Sequence, residues 1–119
     1  MTFLRTLIAA VLAGSALAAF AADPYPSKPI ELVVAYQPGG GSDNTARAIA
    51  ENAKSALPQP VVVVNKPGAS GSIGWAYVVA GAPDGYKVSL MNPEMLVVPL
   101  MGIGKTTVEQ IAQFAAQNR

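Results

Sequence analysis

The sequence predicts a three-layer α/β fold, in which helices cover both faces of a parallel sheet and the elements follow the order β-α-β-α-β. Short runs of apolar, mostly β-branched residues alternate with segments whose small and apolar residues recur at helical spacing. The connections are short, which favours parallel strands joined by right-handed crossovers. The first two predicted strands are each followed by a glycine-rich loop that leads into a predicted helix.

The first strand is predicted at residues 30–36, a run typical of a strand that is buried on both faces. Pro38-Gly39-Gly40-Gly41 ends this strand, and Ser42 and Asp43 are expected to cap the next helix. Small and apolar residues then mark one helix face across residues 46–57. The proline that comes next in the sequence is expected to end this helix.

The second strand is predicted at residues 61–64, where four valines occur in a row and Asn65 closes the run. A second glycine-rich loop spans residues 66–72, and a helix is expected from residue 73 to residue 80. After the turn Ala82-Pro83-Asp84-Gly85, a third strand is predicted at residues 86–91.

The pattern after Asn92 is weaker. Residues 95–100 fit either a strand or a helical turn. Thr106 and Glu109 have the spacing of a capping box, with Thr106 at the N-cap and Glu109 at position N3. A C-terminal helix is therefore predicted at residues 107–117.

The first 21 residues are predicted to be a cleavable secretory signal. Arg5 precedes an apolar run from Leu7 to about Ala13, and Ala19-Phe20-Ala21 provides the small-x-small pattern of a cleavage site. An uncleaved membrane anchor is the alternative, but an anchor needs about 20 strongly apolar residues, and this run is shorter and rich in alanine. We therefore expect the protein to be exported.

Charge and composition exclude several classes of function. Without Arg5, seven Lys and Arg residues face seven Asp and Glu residues, so no basic surface for nucleic acid or anionic membrane is expected. Cysteine and histidine are absent, which removes disulfides, thiol nucleophiles, thiolate or imidazole metal sites and most hydrolase triads. We predict no metal site.

Candidate ligand-binding residues follow the predicted strands, because ligands of open parallel sheets bind at the carboxyl ends of the strands. Glycines allow close backbone approach, and free N–H groups at a helix start attract a carboxylate or a phosphate equally well. Plain turns and caps are the alternative interpretation of these loops, and Asn92 could simply close a turn. The candidates are Tyr36, Gly40, Gly41, Ser42, Asp43, Gly71, Ser72 and Asn92.

Nucleotide binding is a weaker alternative. Gly102-Ile103-Gly104-Lys105-Thr106 resembles the end of a P-loop, but Pro99 stands where the motif needs its first glycine. The stretch Gly39–Asn44 lacks the third glycine of the dinucleotide fingerprint. The aromatic residues Trp75 and Tyr77 are interpreted as packing residues of the second helix.

A series of short motifs covers about residues 24–92. The motifs are Tyr25-Pro26-Ser27-Lys28-Pro29-Ile30, Pro38-Gly39-Gly40-Gly41-Ser42-Asp43, Pro60-Val61-Val62-Val63-Val64-Asn65-Lys66-Pro67-Gly68-Ala69, Gly71-Ser72-Ile73-Gly74 and Ala82-Pro83-Asp84-Gly85-Tyr86. In this order and spacing, the series resembles the Bug family, also called the TctC-like family, the solute receptors of tripartite tricarboxylate transporters.

The resemblance implies a type II periplasmic-binding-protein-like fold, with two α/β lobes and a cleft for small carboxylates such as di- and tricarboxylic acids, amino acids or aromatic acids. It implies that Gly40 to Asp43 belong to the first ligand loop, Gly71 and Ser72 to the second and Asn92 to the third. It also implies a periplasmic location, the membrane subunits of the transporter as partners, no catalysis and no cofactor. We expect a monomer.

The chain departs from this pattern at its C-terminal end. Members of the resembled family are typically about 300 residues long. We therefore expect the second lobe to be missing and the two-lobe fold to be incomplete. The expected organisation is a signal peptide at 1–21, a first lobe at 22–101 and a C-terminal helical segment at 102–119. A truncated receptor is the main interpretation, and an exported fragment that binds no small molecule is the alternative. Half a cleft is expected to bind at about millimolar affinity, or about 4 kcal/mol.

Overall fold

Three parallel strands form one sheet in the order β2-β1-β3. They are β1 (Ile30–Val34), β2 (Val61–Asn65) and β3 (Lys87–Ser89). The structure is a computed structural model and describes residues 24–117. The signal peptide predicted at residues 1–21 lies outside the described residues and stays a prediction.

Four α-helices connect or follow the strands. They are α1 (Gly41–Ala53), α2 (Ser72–Val79), α3 (Glu94–Leu100) and α4 (Val108–Gln117), and one 3₁₀ turn, Ala69–Gly71, precedes α2. The element order confirms the predicted β-α-β-α-β arrangement. The ambiguous stretch at 95–100 is helical. Among residues 24–117, no helix is long and apolar enough to cross a membrane.

The central strand β1 is buried because it has a neighbouring strand on each side and a helical layer on each face. Leu32 and Val34 pack against Ala46 of α1 on one face. On the other face, Ala35 and Trp75 belong to a cluster to which α3 and α4 also contribute. The α/β layering predicted from the sequence is confirmed, as is the interpretation of Trp75 as a packing residue, since its side chain is fully buried.

The C-terminal segment shares this second core. Ile111 of α4 lies in the same hydrophobic cluster as Trp75, Met95 and Val98. The division into a lobe at 22–101 and a separate segment at 102–119 stays a prediction, although α4 packs directly on the lobe.

The predicted cap of α1 is wrong. The helix begins at Gly41 with Gly40 at the N-cap, and no side chain caps it. Ser42 and Asp43 lie inside the first turn instead, because the Asp43 carboxylate is engaged with other partners described below. The helix also ends earlier than predicted, at Ala53, and residues 54–56 form a turn.

The predicted capping box of α4 is shifted by one residue. The Thr107 hydroxyl accepts a hydrogen bond from the Gln110 N–H at 3.3 Å, and the Thr107 N–H donates to Gln110 Oε1 at 2.9 Å. Thr106 is buried rather than capping the helix. The third strand is shorter than predicted, since β3 spans only Lys87–Ser89.

Candidate functional site

The loops that follow the three strands lie at one edge of the sheet, because all three strands run in the same direction. An open cleft of about 430 Å³ lies at this edge. Five of the eight predicted site residues line this cleft, and they come from the first and third loops. They are Tyr36, Gly40, Gly41, Ser42 and Asn92. The cleft is lined by Tyr36, Gln37, Gly40, Gly41, Ser42, Asn92 and Glu94.

The start of α1 forms one wall of the cleft. The N–H groups in the first turn of a helix have no partner within the helix, and the first bond formed here is from the Asn44 N–H to the Gly40 carbonyl at 2.9 Å. A Cβ placed on Gly41 would meet nothing within 4 Å, so the backbone at this position is open to a ligand. The helix start therefore presents donors, a partial positive charge and the Ser42 side chain to the cleft.

The buried Asp43 carboxylate holds this loop in place through hydrogen bonds. Its side chain is only 2% exposed. Oδ2 accepts hydrogen bonds from the Gly39 N–H at 2.8 Å and from Arg47 Nε at 2.9 Å, and Oδ1 accepts one from Asn65 Nδ2 at 3.0 Å. The Asn65 amide also donates to the Tyr36 carbonyl at 3.2 Å, which ties the end of β2 to the end of β1.

These contacts lower the pKa of Asp43 well below its ordinary value. The hydrogen bond from Arg47 is the largest cause, followed by those from the Gly39 N–H and Asn65. The carboxylate is therefore charged at neutral pH and fully engaged. Asp43 does not line the cleft but holds the residues that do.

Tyr36 connects the first loop to the third. Its hydroxyl donates to Asn92 Oδ1 at 3.4 Å and to Glu94 Oε2 at 3.5 Å. Burial has the largest effect on the pKa of Tyr36 and raises it. The hydrogen bond with Asn92 lowers this pKa, and the charge of Glu94 raises it further. The phenol is therefore a neutral hydrogen-bond donor at physiological pH.

The end of the second loop is packed rather than open. Gly71 and Ser72 are both buried and do not line the cleft, whereas residues 68–70 are exposed. The Ser72 hydroxyl donates to the Ile103 carbonyl at 3.3 Å, and a Cβ added to Gly104 would overlap it. Gly71 has a φ of +91° and lies against the Trp75 ring.

Sequence reasoning missed two lining residues, Gln37 and Glu94, and two residues that support the loop, Arg47 and Asn65. Asn65 closes β2 and so lies at the same sheet edge as the first loop, which was a usable signal. Arg47 follows Asp43 by four positions, the spacing of an ion pair on a helix. Glu94 follows the third predicted strand in the same loop as Asn92, so its position was a usable signal, although it was not among the candidates.

The nucleotide alternative lacks its structural setting. Residues 102–106 connect α3 to α4 and follow a helix, whereas a P-loop follows a strand. Gly104 packs against Ser72 of α2. In the part of the chain that the structure describes, no group of three or more acidic, histidine or cysteine residues could hold a metal ion.

A parallel α/β unit with an open cleft at the carboxyl ends of its strands is an architecture that binds small ligands at that cleft. Residues 45–116 match the family described as "Tripartite tricarboxylate transporter family receptor", TctC. The chain therefore belongs to this family, which confirms the resemblance found in the sequence. Protein BugT of Bordetella pertussis (strain Tohama I) is 42% identical over 93 residues, which are 77% of this chain and 28% of BugT.

Solved structures agree with this assignment. A TctC solute binding protein from Polaromonas, solved without ligand, is 54% identical with a TM-score of 0.67 over 71% of this chain and 30% of that chain. The R. palustris protein Rpa4515, solved with adipate, is 34% identical with a TM-score of 0.58 over 60% of this chain and 24% of that chain. The chain thus spans less than a third of the length of these relatives.

Proposed function

We propose that this chain carries the first-lobe half of a carboxylate site of an extracytoplasmic solute receptor and binds one carboxylate group at the start of α1. The observation that supports this most is the coincidence of the open cleft with the first turn of that helix, at Gly40, Gly41 and Ser42. In this proposal the N–H groups and the Ser42 hydroxyl donate to the carboxylate, and the helix dipole favours its charge.

Tyr36 and Asn92 have supporting roles in the proposed site. The neutral Tyr36 hydroxyl is a further donor, and Asn92 offers both a donor and an acceptor for the rest of the ligand. Asp43 acts as a positioning residue, because its hydrogen bonds fix the Gly39 N–H and the first turn of α1. Gly71 and Ser72 have structural roles in this proposal, since their packing leaves them no ligand-facing surface.

The ligand class and the biological setting rest on the family. Carboxylates are favoured over phosphates because the related protein Rpa4515 was solved with adipate. We propose that the chain acts in the periplasm as a solute receptor rather than an enzyme, and that its partners are the membrane subunits of a tripartite tricarboxylate transporter. A cleft that is open on one side leaves much of the ligand in water, so we expect an affinity of about 1 mM.

The test is a titration of the full chain with pentanoate, a single carboxylate on an apolar tail, followed by ¹⁵N NMR. We expect chemical-shift changes at residues 36–42 and at Asn92. Ser42→Ala should weaken binding roughly tenfold, because one hydrogen bond to a charged group contributes about 1.5 kcal/mol.

The matched control is Ser55→Ala, which removes a hydroxyl in the turn just after α1, where it donates to the Asn52 carbonyl at 2.9 Å. This variant should bind pentanoate as the unchanged chain does. Equal affinity of the Ser42→Ala and Ser55→Ala variants would contradict the proposed site. A response of the folded chain to ATP but not to pentanoate would contradict the carboxylate function.

A further inference from the structure

Within residues 24–117, the ligand cleft contains one charged side chain, and that side chain is acidic. Six of the seven described residues that line the cleft are uncharged, and the seventh is Glu94. Of the described Lys and Arg residues, none lines this cleft. A ligand carboxylate at the start of α1 is therefore held by N–H groups and hydroxyls, and any second charged group of the ligand meets Glu94.

Glu94 is available to a ligand. It is exposed, and it accepts a long hydrogen bond of 3.5 Å from the Tyr36 hydroxyl. Within residues 24–117, Glu94 forms no ion pair. Arg47, the basic residue of α1, pairs with Asp43 and is not among the residues that line the cleft.

The two sides of the cleft therefore have opposite electrostatic preferences. The start of α1 favours an anion, whereas Glu94 attracts a cation and repels an anion. A dicarboxylate would place its second charge in a cleft that holds an acidic group and no basic one. A ligand with one carboxylate and one ammonium group would satisfy both sides.

We propose that Glu94 is a specificity-determining residue that selects carboxylates carrying an ammonium group over dicarboxylates. This inference rests on the proposed function, because it takes the start of α1 as the place where the carboxylate binds. A competing role for Glu94 is that of a first-turn acid that stabilises α3 through the helix dipole. That role would change stability but not ligand preference.

Three probes with the same apolar spacer separate these roles. Adipate carries two carboxylates on a four-carbon chain, 5-aminopentanoate replaces one carboxylate with an ammonium group, and pentanoate replaces it with a hydrogen atom. An exposed charge pair changes an affinity by a few-fold, and Glu94 acts with opposite sign on adipate and 5-aminopentanoate. The full chain should therefore bind 5-aminopentanoate about tenfold more tightly than adipate, measured by ¹⁵N NMR titration at low salt.

Glu94→Gln should reduce this preference to about twofold or less and leave the affinity for pentanoate unchanged. The matched control is Glu109→Gln, which removes the same charge from the first turn of α4, outside the cleft. This control should keep the tenfold preference.

The possible results separate the two proposals. Binding of pentanoate without a preference for 5-aminopentanoate would overturn the role of Glu94 and leave the carboxylate site intact. A preference that survives Glu94→Gln would overturn it as well. Failure of the folded chain to bind all three probes would overturn the proposed function together with this inference.

Discussion

The two glycine-rich loops are similar in sequence but differ in what covers them. Both follow neighbouring parallel strands, and both lead into a helix. The first loop, residues 37–43, is open, and Gly40 and Gly41 are exposed at the cleft. The second loop, residues 66–72, has Gly71 and Ser72 buried beneath the connection between α3 and α4.

The difference shows that a glycine at a helix start has two separate uses. In the first loop, glycine leaves the backbone open to a ligand, as the empty surroundings of Gly41 show. In the second loop, Gly71 adopts a positive φ and allows the Trp75 ring to approach closely. A glycine-rich loop is therefore a candidate binding site only where no later segment packs on it.

The strongest test of this contrast is to add a methyl group to each loop. Gly71→Ala would place a Cβ 2.7 Å from Trp75 Cζ2 at a φ of +91°, so we expect a loss of about 3 kcal/mol in the free energy of unfolding. Gly41→Ala has free space and should be neutral or stabilise the chain by up to about 1 kcal/mol. Urea unfolding followed by circular dichroism measures both, and equal stabilities would refute the contrast.

The second test concerns the Asp43 carboxylate, which holds the first loop in place. The lowered pKa of Asp43 means that its charged form stabilises the fold at pH values above its ordinary pKa of 3.8, and this stabilisation is lost as the pH falls below that value. Asp43→Asn should lower Tm by about 10 °C at pH 7. The difference in Tm from the unchanged chain should shrink below about pH 3.

The control for this pH series is Asp84→Asn. The pKa of Asp84 is also lowered, mainly by the hydrogen bond from the Tyr86 N–H, but Asp84 is exposed and lies outside the first loop. Its replacement should lower Tm much less. A Tm difference for Asp43→Asn that stays constant from pH 7 to about pH 2 would argue against this role of the Asp43 carboxylate.

The smallest expected effect distinguishes Ser72 of the second loop from Ser42 of the first loop. Ser72→Ala removes the hydrogen bond to the Ile103 carbonyl and should cost about 1 kcal/mol of stability. It should leave the affinity for pentanoate unchanged, in contrast to Ser42→Ala. Thermal unfolding of the two variants measures stability, and ¹⁵N NMR titration measures their affinity for pentanoate. Weaker pentanoate binding by Ser72→Ala would show that the second loop belongs to the binding site.

Much of the fold could be predicted from local sequence. The valine run at β2 and the apolar run at β1 identify the strands, because buried parallel strands need continuous apolar residues. The helix caps were less predictable. Asp43 is a good capping residue in isolation, but its partners Asn65 and Arg47 draw its carboxylate away from the cap.

The candidate site was predicted in part. Tyr36, Gly40, Gly41, Ser42 and Asn92 were expected to lie near a ligand, and all five line one cleft. Glu94 was not among the candidates, although it lies in the same loop after the third strand as Asn92. Whether its side chain reaches the cleft depends on how the chain turns after β3 and starts α3.

By itself, the sequence determined the order of the strands and helices and the family of the chain, since these depend on hydrophobic periodicity and on short motifs. The tertiary structure alone decided which helix start stays open and which becomes packed. The physical reason is that this outcome depends on contacts between distant residues, Ser72 with Ile103 and Asp43 with Asn65, which form only when the chain has folded.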